Sequence, residues 1–159
     1  MDQQSEQAVW RRVRGPGELT AEKALLPERL EALVLEEGAL AELLGSLARS
    51  VRGPGNGVLS RLALQTRQRA RGLSALYYLL TGRRLRLRAP RPPKPGPLPE
   101  ALRDAVLRTR QANRAYQSLE REFEDEAGDF RRYARQTEDN ARSLTALLQR
   151  QLDRETEGK

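Results

Sequence analysis

Apolar side chains recur every three or four residues along four long stretches of the chain, which is the spacing of an amphipathic α-helix. In the first stretch the series is Leu30, Leu33, Val34, Leu40, Ala41, Leu44, Leu47 and Ala48. The four predicted helices span about residues 27–52, 58–80, 99–124 and 129–152. Leu and Ala dominate the apolar set and β-branched residues are few, which favours helices over strands. The pattern therefore predicts an all-α domain over residues 26–153.

The connectors between the predicted helices indicate how the helices are arranged. The first (GPGNG, residues 53–57) and the third (DEAGD, residues 125–129) are short, so each joins antiparallel neighbours. The middle connector, residues 83–97, holds five prolines. In an extended polyproline conformation it would reach roughly 45 Å, at about 3.1 Å per residue. A helix of about 25 residues is only roughly 37 Å long. We therefore predict a four-helix bundle with one long crossover between helices two and three.

Residues 1–25 form a less regular N-terminal extension. They allow a short helix over residues 6–13, and Trp10 is a candidate to cover one end of the bundle. The opening MDQQSEQAVW is polar and lacks the apolar core of a signal peptide. No segment approaches eighteen consecutive apolar residues, so we expect no membrane span. The expected location is the cytoplasm.

A weak internal repeat relates the two halves of the chain. LPERLEALV at residues 26–34 resembles LPEALRDAV at residues 98–106, an offset of 72. About half of the positions in residues 62–76 recur in residues 133–147, at an offset of 71. Two matches in the same order at nearly the same offset favour two helical hairpins related by a pseudo-twofold axis over chance similarity.

Polar side chains interrupt the apolar stripes at corresponding places in the two halves. These side chains are Glu37, Thr66, Arg69, Thr109, Thr137 and Asn140. The repeat pairs Glu37 with Thr109, Thr66 with Thr137, and Arg69 with Asn140, which predicts one polar layer near the middle of the bundle. Because an unpaired buried charge is very costly, we expect Glu37 to contact Arg69. We also expect the threonines to bond to helix carbonyls four residues back. The alternative is that Glu37 and Arg69 face solvent at the edge of the stripe.

Several segments resemble the rubrerythrin and ferritin-like superfamily, over about residues 26–152. They are ALVLEE in helix one, A-x-x-x-x-x-x-A-R-x-L in helices two and four, and ALYYLLTG at residues 75–82, which is similar to bacterial rubrerythrin-like proteins. The resemblance implies a di-iron site with one Glu from each of helices one and three and Glu-x-x-His from each of helices two and four. It places these six ligands at Glu37, Thr66, Arg69, Thr109, Thr137 and Asn140. Of the six, only Glu37 keeps the ligand type.

The chain has no histidine and no cysteine, which removes the commonest general base and the usual transition-metal ligands. We therefore expect a degenerate metal site, no catalytic residues, no cofactor and no bound metal. The expected role is structural or in protein interaction, with a homodimer or a protein partner contacting a helix face. One alternative is a metal-binding or oxidoreductase protein with an altered site, in which Glu36, Glu37, Glu42 and the threonines would supply oxygen ligands.

The net charge of +7 is concentrated in the predicted crossover. The crossover contains no acidic residue, and its basic residues are Arg83, Arg84, Arg86, Arg88, Arg91 and Lys94. A second alternative function is therefore anion, membrane-surface or nucleic-acid binding through this run. No aromatic residue lies within it to stack on bases, so such binding would be salt-sensitive and non-specific. A run of this kind is more often a solvated linker.

Overall fold

The computed structural model describes residues 25–86 and 94–158 of the chain. These residues form four α-helices and one short 3₁₀ helix, Glu124–Glu126, that precedes the fourth α-helix. The α-helices are α1 (Leu26–Ser50), α2 (Pro54–Thr81), α3 (Leu98–Glu122) and α4 (Ala127–Glu157). No strand occurs within the described ranges, and the predicted all-α class is confirmed. None of these helices is both long enough and apolar enough to pass through a lipid bilayer.

Helix α2 begins four residues before the predicted start at residue 58, so GPGNG is mostly helical. Pro54 occupies the first turn, where its missing N–H would be unbonded in any case. Gly53 precedes it with φ +89°, a backbone conformation that favours glycine. The Asn56 side chain also donates a hydrogen bond to the Ala48 carbonyl near the end of α1. The connection between α1 and α2 is therefore only three residues long, residues 51–53.

The other helix bounds differ from the prediction by one to five residues. The largest difference is in α4, which begins at Ala127 instead of 129 and ends at Glu157 instead of 152. The added last turns carry almost no apolar stripe, but Gln149 donates to Asp153 at 3.0 Å one turn further along. Arg154 lies in the last turn, where a cation is favoured by the helix dipole. A prediction from the apolar stripe alone therefore ends this helix too early.

Two apolar clusters fill the interior, one on each side of the polar layer. The first joins the second half of α1, the first halves of α2 and α3, and Leu144 of α4. The second joins the first half of α1, Leu73 of α2, the second half of α3 and the first part of α4. Helices α2 and α3 therefore begin at the same end of the bundle, and each hairpin is antiparallel. The chain from Gly82 to Pro97 must consequently return along the length of the bundle.

Some predicted features lie outside the described residues. These are most of the N-terminal extension, with its short helix at 6–13 and Trp10, and residues 87–93 of the crossover with Arg88 and Arg91.

Candidate functional site

All six polar positions that interrupt the stripes are buried between the two apolar clusters. Their exposed fractions are 1% for Glu37, 0% for Thr66, 1% for Arg69, 1% for Thr109, 0% for Thr137 and 5% for Asn140. Glu37 comes from α1, Thr66 and Arg69 from α2, Thr109 from α3, and Thr137 and Asn140 from α4. The alternative in which Glu37 and Arg69 face solvent is therefore wrong. Each helix contributes to one internal polar layer.

The centre of the layer is a buried ion pair between α1 and α2. The Arg69 Nε donates to the Glu37 Oε2 at 2.5 Å, so the predicted contact is confirmed. The Tyr116 hydroxyl of α3 donates to the same carboxylate oxygen at 3.0 Å, and its side chain is fully buried. Burial raises the pKa of Tyr116 well above its usual range, and the negative charge of Glu37 raises it further. The Tyr116 phenol therefore remains a neutral hydrogen-bond donor to Glu37.

The remaining guanidinium nitrogens of Arg69 bond to uncharged oxygens. Nη2 donates to the Thr66 hydroxyl at 3.1 Å, and Nη1 donates to the Gln136 Oε1 at 2.9 Å. The Asn140 amide has one orientation in which both of its ends are complementary to their neighbours. In that orientation its oxygen accepts from Arg69 Nη1 at 3.1 Å, and its nitrogen donates to the Gln65 Oε1 at 2.9 Å. Arg69 thus bonds across the bundle from α1 to α4.

The three buried threonines direct their hydroxyl protons to their own helices. Thr66 bonds to the Leu62 carbonyl at 2.7 Å, Thr109 to the Ala105 carbonyl at 2.7 Å, and Thr137 to the Tyr133 carbonyl at 2.8 Å. Each acceptor is four residues back, as predicted. These hydroxyls can then only accept from the layer, and Thr137 does so from Asn113 Nδ2 at 3.2 Å. They are neutral oxygens, which are weak ligands beside carboxylates.

The Glu37 carboxylate uses its two oxygens unequally. Oε2 accepts from both Arg69 and Tyr116, whereas Oε1 has no hydrogen-bond partner among the described residues. One carboxylate and one guanidinium give the layer a net charge of zero. A permanent positive charge therefore lies against the only carboxylate that the six positions contain.

The carboxylates that an altered metal site would need are elsewhere. Glu36 and Glu42 are exposed on the surface of α1, whereas Glu37 is buried. Within residues 25–86 and 94–158, no three His, Cys, Asp or Glu side chains come together in an arrangement that suits a metal ion.

The basic crossover residues that the structure describes are exposed. These are Arg83, Arg84, Arg86 and Lys94. The Arg83 backbone N–H donates to the Thr81 hydroxyl at 3.1 Å, which helps to end α2 just beyond its last turn. Their side chains are therefore placed as those of a solvated linker would be.

Several partners in the layer were not predicted from the sequence. Tyr116 follows Thr109 by seven residues on the apolar stripe of α3, and this spacing predicts its inward position but not its hydrogen bond to Glu37. Gln136 and Gln65 lie beside buried positions of the repeat, but adjacency alone does not show that they reach inward. Only the packing of the helices brings these amides to Arg69 and Asn140.

Comparison with known proteins returned no matching family model, no matching curated protein and no matching solved structure.

Proposed function

We propose that this chain is a ferritin-like protein whose di-iron site has been replaced by an internal ion pair, and that it has a non-catalytic structural or protein-interaction role. The observation that carries the proposal is the Glu37–Arg69 pair at 2.5 Å. Both residues occupy positions that the resemblance assigns to metal ligands, and both are buried at the polar layer. The Arg69 guanidinium supplies there the positive charge that a metal ion would otherwise bring.

The arrangement of the helices supports the ferritin-like assignment. The parallel course of α2 and α3, joined by a long connection, is the arrangement of bundles with one crossover. The six assigned positions come from all four helices and meet in one layer, as ligands of a di-iron site would. The fold by itself does not define a function, so the role rests on the chemistry of that layer.

The test is iron binding by the chain and by a variant in which the family ligands are restored. The restored variant carries Thr66→Glu, Arg69→His, Thr109→Glu, Thr137→Glu and Asn140→His. After anaerobic loading with ferrous iron and removal of excess metal, we expect no retained iron in the unaltered protein and about two ions per chain in the restored variant. Iron content is measured by elemental analysis.

A matched control separates restored ligation from general acidity. Adding Glu37→Gln to the restored variant removes the one surviving ligand and should lower the retained iron, although the five introduced ligands remain. Stoichiometric iron in the unaltered protein, with oxidation of ferrous iron by dioxygen, would instead support the altered-site oxidoreductase. Failure of the folded restored variant to bind iron would contradict the assignment of the six positions.

Exposed apolar side chains on the outer faces of the helices support the proposed interaction role. Leu64 on α2 and Leu107 on α3 are each 52% exposed, so apolar side chains remain on more than one face. A homodimer through a helix face would bury one of them. Light scattering coupled to size exclusion measures the mass of the unaltered protein. We expect a dimer, and we expect either Leu64→Arg or Leu107→Arg to convert it to a monomer. If the unaltered protein is a monomer at all concentrations, the homodimer is excluded, and the interaction role then requires a different protein partner.

Anion binding through the crossover is the second candidate, because Arg83, Arg84, Arg86 and Lys94 are all exposed. Neutralising these four residues to Gln should abolish retention of DNA in a native gel if this function is real. No retention of DNA by the unaltered protein at low salt would dismiss it.

A further inference from the structure

A groove with an apolar wall and acidic residues lies between the end of α2 and the start of α4. Its volume is about 290 Å³. The apolar wall is formed by Leu76, Leu79 and Leu80, and the opposite side by Asp125, Glu126, Gly128 and Asp129. Leu79 is 71% exposed, more than any other large apolar side chain in the described residues. The three leucines form one contiguous apolar wall, and a contiguous apolar surface of this kind favours contact with another apolar group.

The groove is at the same end of the bundle as the start of α1. Leu26, the first residue of α1, belongs to the apolar cluster against which Leu76 and Leu80 pack. Leu25 just before it is 56% exposed. Residues 1–24 therefore join the described part of the chain beside the groove. The fourteen residues from Trp10 to Lys23 could extend to about 45–50 Å at roughly 3.3–3.6 Å per residue, so Trp10 can reach the groove easily.

The preceding segment has the composition that would complement this groove. Residues 8–14 read AVWRRVR and combine three large apolar side chains, Val9, Trp10 and Val13, with three arginines. Trp10 can bury about 150–250 Å² of surface, and the arginines can face carboxylates at the groove. Asp129 also pairs with Arg132 of α4 at 3.2 Å, and this contact is exposed, so further arginines can share the carboxylate.

The crossover is a less suitable occupant, although it is also basic. It starts at the same end, just after Gly82, but must reach Pro97 at the opposite end. Helix α2 has 28 residues, which corresponds to about 42 Å. Residues 83–97 extend to roughly 46 Å in polyproline geometry, so almost their whole length is needed for the return. They also contain no aromatic side chain.

We propose that residues 8–14 of the same chain bind in this groove, with the Trp10 indole against Leu79 and Leu80 and the arginines facing Asp125 and Asp129. The segment would then cover the end of the bundle at which α1 begins. The interaction is intramolecular and does not depend on whether the polar layer once held metal.

Trp10 is the only tryptophan in the chain, so its fluorescence reports on this contact alone. In the full chain we expect emission that is blue-shifted from that of N-acetyltryptophanamide, and protection from quenching by acrylamide. Leu79→Arg should remove both the shift and the protection. Because Leu79 is largely exposed, this substitution should leave the helical circular dichroism unchanged. The matched control is Ala146→Arg, at an exposed position of α4 outside the groove, which should leave Trp10 protected.

A second variant tests how much the acidic residues of the groove contribute to the contact. Asp125→Asn with Asp129→Asn should weaken the protection of Trp10, and high salt should weaken it in the unaltered protein in the same direction. Trp10 emission equal to that of the free amide would overturn the proposal, as would protection that survives Leu79→Arg. Protection that is lost on dilution would also overturn it, because the groove would then be filled by a second copy of the chain.

Discussion

Arg69 is the residue on which the interior of this protein depends most. It is 1% exposed and bonds to Glu37, Thr66 and Gln136, so its charge and its donors are met by side chains from three helices. A buried ion pair gains little over apolar residues of similar volume, because two charges lose their hydration. Breaking one half of it is far more costly, since the other charge is left uncompensated. Each member of the pair therefore stabilises the protein only while the other is present.

Replacing one member of the pair should be much more destabilising than replacing both. We expect Arg69→Met to lower the free energy of unfolding by about 3–5 kcal/mol, and Glu37→Met with Arg69→Met to recover most of that loss. Urea denaturation of the two single variants and the double variant measures the coupling. The control is Arg142→Ala, which breaks an exposed pair with Glu138 and should cost less than about 1 kcal/mol. Additive losses from the two single substitutions would contradict the mutual dependence.

Tyr116 should make the protein less stable at alkaline pH. Its pKa is raised in the folded state, mainly by burial, whereas the unfolded value is about 10. Above pH 10 the unfolded chain releases this proton and the folded chain keeps it, so the free energy of unfolding falls as pH rises. The contribution of Tyr116 is fully present below that pH.

The measurement is urea denaturation at pH 9 and pH 11 for the unaltered protein and for Tyr116→Phe. The variant should lose about 1–3 kcal/mol at pH 9, because a donor to the buried Glu37 is removed. Between the two pH values it should lose less stability than the unaltered protein. Equal losses in the two proteins would show that Tyr116 ionises in the folded state as it does when unfolded.

At the scale of the helices, the contact between α2 and α4 depends on a missing side chain. A Cβ placed at Gly72 would lie 2.1 Å from the Tyr133 hydroxyl oxygen and 3.3 Å from its Cζ. The aromatic ring of Tyr133 also packs against Tyr116, with ring centroids 5.3 Å apart, so it has little room to move. Glycine within a helix is normally unfavourable, and here it allows a tyrosine from the second hairpin to approach the first.

Alanine should therefore have opposite effects at two helical glycines. Gly38→Ala on α1 meets nothing within 4 Å and should raise the free energy of unfolding by about 0.5–1 kcal/mol. Gly72→Ala should lower it by about 1–3 kcal/mol through overpacking. Adding Tyr133→Phe to Gly72→Ala removes the clashing oxygen and should recover part of the loss. Thermal or urea denaturation checks all three, and a stabilising Gly72→Ala would contradict the packing.

At the scale of the whole molecule, the connection from α2 to α3 sets the topology. Both helices begin at one end of the bundle, so the chain must return over about the length of α2, roughly 42 Å for its 28 residues. At about 3.6 Å per extended residue, a connection of fewer than about twelve residues could not join the same end points. An alternative with α3 antiparallel to α2 would reverse the order in which α3 meets the two apolar clusters.

Deleting residues 87–93 should prevent the fold from forming within one chain. The eight residues that remain between Gly82 and Leu98 can span only about 29 Å at 3.6 Å each. We expect the α3–α4 hairpin to pack instead on a second copy, giving an exchanged dimer whose two chains are interdependent. Replacing residues 87–93 by seven Gly and Ser residues is the matched control and should preserve the mass and stability of the unaltered protein. A deletion variant that keeps the native helicity as a monomer would refute this topology, because an exchanged fold needs two chains.

The apolar stripes and the positions of their polar interruptions could be derived from the residues alone. Helical periodicity is a local property, so the four helices and the inward position of Thr66, Thr109 and Thr137 followed from spacing. The hydroxyl bonds four residues back are equally local. Even the contact between Glu37 and Arg69 was predictable, because two opposite charges on the apolar stripes of adjacent helices have few other partners.

Tertiary packing decided the details that depend on the relative height and rotation of helices. The bond from Tyr116 to Glu37 joins residues 79 positions apart, and the amide of Gln136 reaches Arg69 from α4. Helix ends also depended on more than the stripe, since Pro54 and polar contacts extended α2 and α4 beyond their apolar residues. Periodicity determines which face of a helix turns inward, but only the fit of one helix against the next determines which atoms meet.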